Sequence, residues 1–250
     1  SALVLSVIAG HDPNDPYSSK KSVPEYASLL NSDISKLKIG LIKERLDPSW
    51  GETDVFERFN VAVNDLKNLG AQVVELSLPN IDYSAVASAT LINIDASYLN
   101  RGLIENQLSE FDYNNQIRLL SGAILPAVVH KKINAIREIV RNEILDALEQ
   151  VDVLILPTSP IIAPKIPVKK GMDNVQEMVD SFGGRRQFTS PFNLANVPAM
   201  SVCCGFSDGG MPVGLQIVGK PFDEQTIFDV AYAYESATDW HKMRPNLETF

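Results

Sequence analysis

The chain has 250 residues, 45% hydrophobic and 21% charged, enough for a sizeable core in one large domain or two small ones. A formal charge of −9 argues against nucleic acid or an anionic membrane as the main partner. No apolar run approaches the ~20 residues that span a bilayer, and Leu3–Ala9 lacks the basic lead of a signal peptide.

Ser1–Ala9 reads as an apolar helix from its first residue, so the chain is expected to be the middle of a longer protein. His11–Lys21 (HDPNDPYSSKK) is a loop by its prolines and polar residues. Lys38–Lys43 (KIGLIK) and Gln72–Leu76 read as strands on either side of an amphipathic helix, Asp54–Leu69. Val55, Phe59, Ala62, Val63 and Leu66 hold its helical spacing, and Gly70 supplies a left-handed C-cap. That is a βαβ unit, whose strands should be parallel and joined by a right-handed crossover.

Tyr83–Leu108 is helix-permissive, Ile117–Ala123 predicts a short helix, and Pro126–Gln150 a long one with Pro126 in its first turn. Val151–Leu156 is a buried strand, followed by a loop carrying Pro160, Pro164 and Pro167. Gly171–Arg186 is polar and reads as a mobile segment. Met200–Phe206 and Val213–Gly219 flank Asp208-Gly209-Gly210, a hairpin signal in which both central residues would take φ > 0. Their lack of alternation predicts strands buried on both faces. Asp223 is a candidate N-cap for a closing helix with Ile227, Val230, Ala231 and Tyr234 on one face. The alternation of elements argues an α/β fold, made mixed by the closing hairpin.

Gly205–Gly209 matches G-x-S-x-G, and Asp223, Asp229 or Asp239 with His241 would complete a triad order. A nucleophile elbow needs a strand-to-helix turn, whereas here a strand lies on each side, and a hairpin tip should expose Ser207 to water. Cys203 and Cys204 are adjacent on a strand, point to opposite faces, and read as small core residues rather than a disulfide or metal site. Their thiols suit a reducing, cytoplasmic compartment. His11, His130 and His241 lack ligand spacing, and no phosphate-loop or dinucleotide fingerprint occurs, so neither metal nor cofactor is expected. Arg185 and Arg186 are either a solvated pair or, if their loop folds over a pocket, a fork for a carboxylate or carbonyl.

Three stretches closely resemble the amidase signature family: LVLSVIAGHDPNDPYS at Leu3–Ser18, VDVLILPTSPIIAP at Val151–Pro164, and PFNLANVPAMSVCCGF…GMPVGLQIVGKPFDEQTIFDVAYAYE from Pro191. They lie in family order and together span nearly the whole chain. The resemblance implies a mixed, largely buried sheet covered by helices, and hydrolysis or transfer at amide bonds. It also implies a serine nucleophile activated through a cis-serine by a lysine, on a Gly/Ser-rich loop upstream of the segment that Leu3–Ala9 resembles. No such string occurs here, so residues 1–250 are expected to be the C-terminal part of a single amidase signature domain without its catalytic portion. The chain alone should be inactive, because pocket walls bind but do not accelerate.

By the same resemblance the substrate channel would be bordered by Thr158, Ile161, the Gly171–Arg186 loop with Arg185 and Arg186, Phe188 and Phe192. Simple packing is the competing reading for Thr158 and Phe192. A small-molecule amide is then the substrate of the complete protein, with an apolar acyl group. The glutamine-handling subunits of tRNA-dependent amidotransferases carry an acidic residue where Arg186 stands and a glycine where Asn196 stands. Both departures favour a general amidase over a subunit of that kind. The remaining alternatives are a non-catalytic binding or complementing module and a serine hydrolase using Ser207. A fragment should also expose apolar surface and self-associate through it.

Overall fold

A computed structural model describes residues 1–166 and 187–244. The βαβ unit is β1 (Lys38–Ile42), α2 (Thr53–Asn68) and β2 (Gln72–Leu76), preceded by a short helix α1 (Ala2–Ile8). Every apolar position read from the spacing of α2 is buried. The helix closes as the glycine requires: Gly70 takes φ +97°, its N–H donates to Lys67 O, and the Ala71 N–H donates to Leu66 O. This pair of bonds satisfies two terminal carbonyls in a Schellman arrangement. β1 and β2 pair in parallel, with Lys38 opposite Gln72 and Ile42 opposite Leu76.

Four helices lead back to the sheet: α3 (Tyr83–Leu99), α4 (Arg101–Gln107), α5 (Tyr113–Ile124) and α6 (Ala127–Gln150). The single helix expected over Tyr83–Leu108 is divided at Asn100, whose side-chain Nδ2 turns back onto Ala96 O and competes with the next helical turn. α5 begins earlier than its apolar pattern, because the Asp112 carboxylate accepts from Asn114 N and Asn115 N. Pro126 is the extended N-cap of α6 rather than part of its first turn. Gly122 of α5 lies against Asn93 O and Ser97 Oγ of α3, so the two helices approach where a Cβ would not fit.

β3 (Val153–Pro157) pairs in parallel with β1 and antiparallel with β5 (Pro212–Gly219), which pairs antiparallel with β4 (Ala199–Phe206). The sheet has five strands in the order β2-β1-β3-β5-β4. A short helix α7 (Ser190–Ala195) precedes β4. β3 is buried along its whole length, and helix α8 (Glu224–Ala237) lays Ile227, Val230, Ala231 and Tyr234 into the same core. No helix among the described residues is long and apolar enough to cross a membrane.

Four expectations for the C-terminal third are corrected. The hairpin turn has one left-handed residue, Gly210 at φ +79°, instead of two. Gly210 N donates to Ser207 O at 2.9 Å and Ser207 N to Met211 O at 2.8 Å, a three-residue loop. Ser207 is only 6% exposed, because its hydroxyl folds back to accept the Met211 N–H at 3.1 Å. Asp223 is the N-cap residue of the closing helix, as read, but without the capping bond to the backbone: its carboxylate accepts the Thr226 hydroxyl at 2.9 Å instead. β5 is largely buried, but β4 ends the sheet and leaves Ala199 and Ser201 exposed and Cys203 half-buried.

Candidate functional site

Thr158 and Ile161 meet at a groove of about 510 Å³ beyond the C-terminal end of β3. Its floor is a pair of hydroxyls, Thr158 Oγ1 and Ser201 Oγ, 2.6 Å apart. Gly214 of β5 makes that approach possible: a Cβ there would lie 2.7 Å from Thr158 Oγ1 and 2.8 Å from Ser201 Oγ. The Gly214 carbonyl also accepts the Thr158 N–H at 2.8 Å, which fixes the threonine over the strand. Ile161, Ile162 and Pro164 give an apolar wall, with Val55 of α2 and the Cys203 thiol opposite the loop. Ser159 Oγ spans the loop by bonding both the N–H and the carbonyl of Ile161. Glu52 N, at the start of α2, donates to Pro160 O at 2.9 Å and ties the loop down. One hydroxyl of the floor must donate to the other, so the pair retains one O–H and free lone pairs for a ligand.

Phe188 and Phe192 lie elsewhere, 0% and 1% exposed in the main core. Phe188 packs edge-on against Trp50 and Phe56, with ring centroids 6.3 and 6.5 Å away. These aromatics are therefore packed in this chain rather than set beside Thr158 and Ile161. Arg185 and Arg186, with the rest of the Gly171–Arg186 stretch, lie outside the described residues.

The side chain that fastens Phe188 is one that no sequence motif singles out. Arg45, just past β1, is fully buried between Trp50 and Phe188, its guanidinium carbon 4.7 and 5.6 Å from the two ring centroids. It donates to Gln187 O, Gln187 Oε1 and Glu44 O, and pairs with Asp82 Oδ1 at 2.8 Å. Burial lowers its pKa, while Asp82 and Glu44 oppose that shift. Gln216 of β5 donates to the Phe188 carbonyl at 2.7 Å, so two buried side chains hold consecutive carbonyls ahead of α7. Ser201 and Cys203 escape sequence reasoning as groove residues because their place depends on strand register, which no motif encodes.

Asn196 closes α7 at φ 54°, ψ 50°, the left-handed conformation that favours glycine and tolerates asparagine. Arg137 Nε donates to Leu194 O at 3.0 Å and Arg141 Nη1 to Ala195 O, so two cations of α6 take the free carbonyls at this helix end. Asn196 therefore holds a backbone conformation that a glycine would also adopt.

The Amidase family model matches residues 1–228. Curated relatives include the A-subunit of glutamyl-tRNA(Gln) amidotransferase from Geobacillus thermodenitrificans, 37% identical over 271 residues, covering 99% of this chain and 54% of the relative. Its counterpart in Thermodesulfovibrio yellowstonii is 33% identical, with 99% and 54% covered. Among solved structures, the Thermotoga maritima counterpart superposes with a TM-score of 0.75 at 27% identity, over 94% of this chain and 50% of that one. A 6-aminohexanoate cyclic dimer hydrolase shares the fold at TM-score 0.80 and 24% identity, over 98% of this chain and 54% of that one. The chain spans about half the length of the curated relatives it matches. With its mixed sheet and its match over residues 1–228, the chain belongs to the amidase signature family.

Proposed function

We propose that this chain is the C-terminal part of an amidase signature hydrolase acting on carbon–nitrogen bonds, and that it contributes sheet core and one wall of the substrate pocket. The observation that carries the reading is the family match over residues 1–228 together with a groove that has binding groups but no activated nucleophile among the described residues. Thr158, Ser201 and Cys203 offer hydroxyls and a thiol there, and none is hydrogen-bonded to a lysine or histidine among the described residues. Ser18 does meet His11 Nδ1 at 2.8 Å, but on an exposed loop where its hydroxyl is engaged by Asp12 O and Asp15 O. Ser207 spends its hydroxyl inside the hairpin. A nucleophile and base from the remaining part of the domain would complete the chemistry.

The test has two arms. The purified chain should neither react with a fluorophosphonate probe nor turn over amides. Fused in frame to the part of the Geobacillus relative that it leaves unmatched, it should do both. Labelling of the chain alone that disappears in Ser207→Ala would overturn the reading in favour of the hairpin serine.

A second reading, the glutamine-handling subunit of a tRNA-dependent amidotransferase, is favoured by the names of the 33% and 37% identical relatives. Asn196 takes the left-handed conformation that a glycine would also take, so that departure weighs less against it. Glutamine preferred over apolar carboxamides by the fused protein would support this reading, and the opposite preference would support a general amidase.

A further inference from the structure

Helix α5 has two apolar faces, and among the described residues only one of them is covered. Leu119 and Gly122 are buried, with Gly122 against Asn93 O and Ser97 Oγ of α3. On the other side Tyr113, Ile117, Leu120 and Ile124 stay between 39% and 80% exposed. They step by four, three and four residues, the spacing of a seam that faces a partner helix. The one charged residue of α5, Arg118, turns its Nε to Asn93 Oδ1 of α3 at 3.2 Å, away from the seam. Surface helices ordinarily meet water with polar side chains. α2 does so with Glu57, Asn60, Asn64 and Lys67, all exposed. α5 meets it with one aromatic and three aliphatic side chains, and no charge there opposes a second apolar helix.

The order of the stripe points to that second helix. Its spacing reads the same in both directions, so a two-fold axis between Ile117 and Leu120 lays α5 antiparallel on its own copy. Tyr113 then meets Ile124 of the second copy and Ile117 meets Leu120, each contact made twice, as an isologous interface requires. Charge favours the same direction. Glu110 and Asp112 are exposed at the N-terminal end of α5, whereas exposed Lys131 and Lys132 follow its C-terminal end on the first turns of α6. Antiparallel pairing sets the acidic end of one copy beside the basic end of the other, and parallel pairing would set like beside like.

We infer that α5 is a self-association surface, on which a second copy of this chain docks its own Tyr113, Ile117, Leu120 and Ile124 in antiparallel register. The inference does not depend on the hydrolase reading. A pair of helices of 12 residues lies near the lower limit of specific interfaces. The dimer is therefore weak, with a dissociation constant on the order of 10–100 μM. The competing occupant is the portion of an amidase domain that this chain leaves unmatched.

Sedimentation equilibrium under reducing conditions, at concentrations on either side of that constant, should show monomer passing to dimer. Ile117→Glu and Leu120→Lys each put a charge into the seam and should be monomeric. Their circular dichroism should match the unaltered chain, because both positions face water in the monomer. Mixing the two variants should restore association, since the introduced carboxylate of one chain then faces the introduced ammonium of the other. A chain that is monomeric throughout overturns the inference. So does a dimer that survives both substitutions, or a mixture that stays monomeric. The fusion described above decides between occupants. Dimerisation of the fusion that Leu120→Lys abolishes gives the stripe to the second copy. A monomeric fusion gives it to the remainder of the domain, and the inference fails.

Discussion

Two regions lie beyond the C-terminal ends of the parallel strands, and they are built in opposite ways. After β1 the space is filled: a guanidinium sits between two aromatic rings and its donors go to Gln187, Glu44 and Asp82. After β3 the space is kept: Gly214 withholds a side chain, two hydroxyls meet over it, and a groove stays open. Both ends use polar groups. In the first those groups are consumed by the fold, and in the second one O–H and several lone pairs remain for a ligand. Ligands of open α/β sheets bind beyond this end of the strands, and of these two ends it is the β3 side that keeps open space.

The largest expected effect comes from emptying the filled end. Arg45→Ala leaves Asp82 without its cation, two Gln187 acceptors unpaired and a hole between Trp50 and Phe188. Loss of about 3 kcal/mol is expected in urea denaturation, from the emptied volume and the unpaired acceptors; Asp82 is 54% exposed and adds little, since water replaces its cation. Arg45→Met should cost clearly less, because it keeps the packing between the rings. Equal losses for the two variants would show that charge, not packing, holds this end.

A smaller effect should come from filling the open end. Gly214→Ala should cost about 1–2 kcal/mol by overpacking, since Thr158 Oγ1 and Ser201 Oγ cannot both keep their places. Adding Ser201→Ala should recover part of that loss. If the double variant is no more stable than Gly214→Ala alone, the hydroxyl pair is not what the glycine accommodates.

The smallest effect concerns acid sensitivity next to the filled end. Burial acts to raise the Glu44 pKa, but the Leu78 N–H and Ser77 hydroxyl outweigh it, and the net shift is downward. A carboxylate lowered in the folded state stabilises fully above its unfolded pKa of about 4.3 and loses that contribution as pH falls through the folded value. The stability advantage of the native chain over Glu44→Gln should therefore hold at neutral pH and shrink in acid. A difference independent of pH would mean that the bonds to Ser77 and Leu78 work equally well with an amide.

Much of the scaffold was legible in the sequence because burial repeats at a period. The apolar positions of α2, the limits of β2 and the C-cap at Gly70 all follow from spacing or from one residue's conformational range. The site was less legible. Charged side chains read as surface, so nothing marked Arg45 as the most enclosed large side chain beside Phe188. The family resemblance sets Phe188 and Phe192 beside the channel, with packing as the competing reading for Phe192, and in this chain both lie in the core. Ser201 and Cys203 enter the groove only through the pairing of β4 with β5 and of β5 with β3, a relation among residues far apart in the chain.

The adjacent cysteines, finally, divide their chemistry between two solvents. Cys204 faces the core, where burial pushes its thiol up to about 12 and keeps it protonated. Cys203 faces the groove and is half-buried. A thiol-directed reagent therefore meets one address per chain, and that address lies in the wall whose ligand is sought. A small environment-sensitive dye attached there would turn the groove into its own reporter, brightening or dimming as the neighbouring space fills.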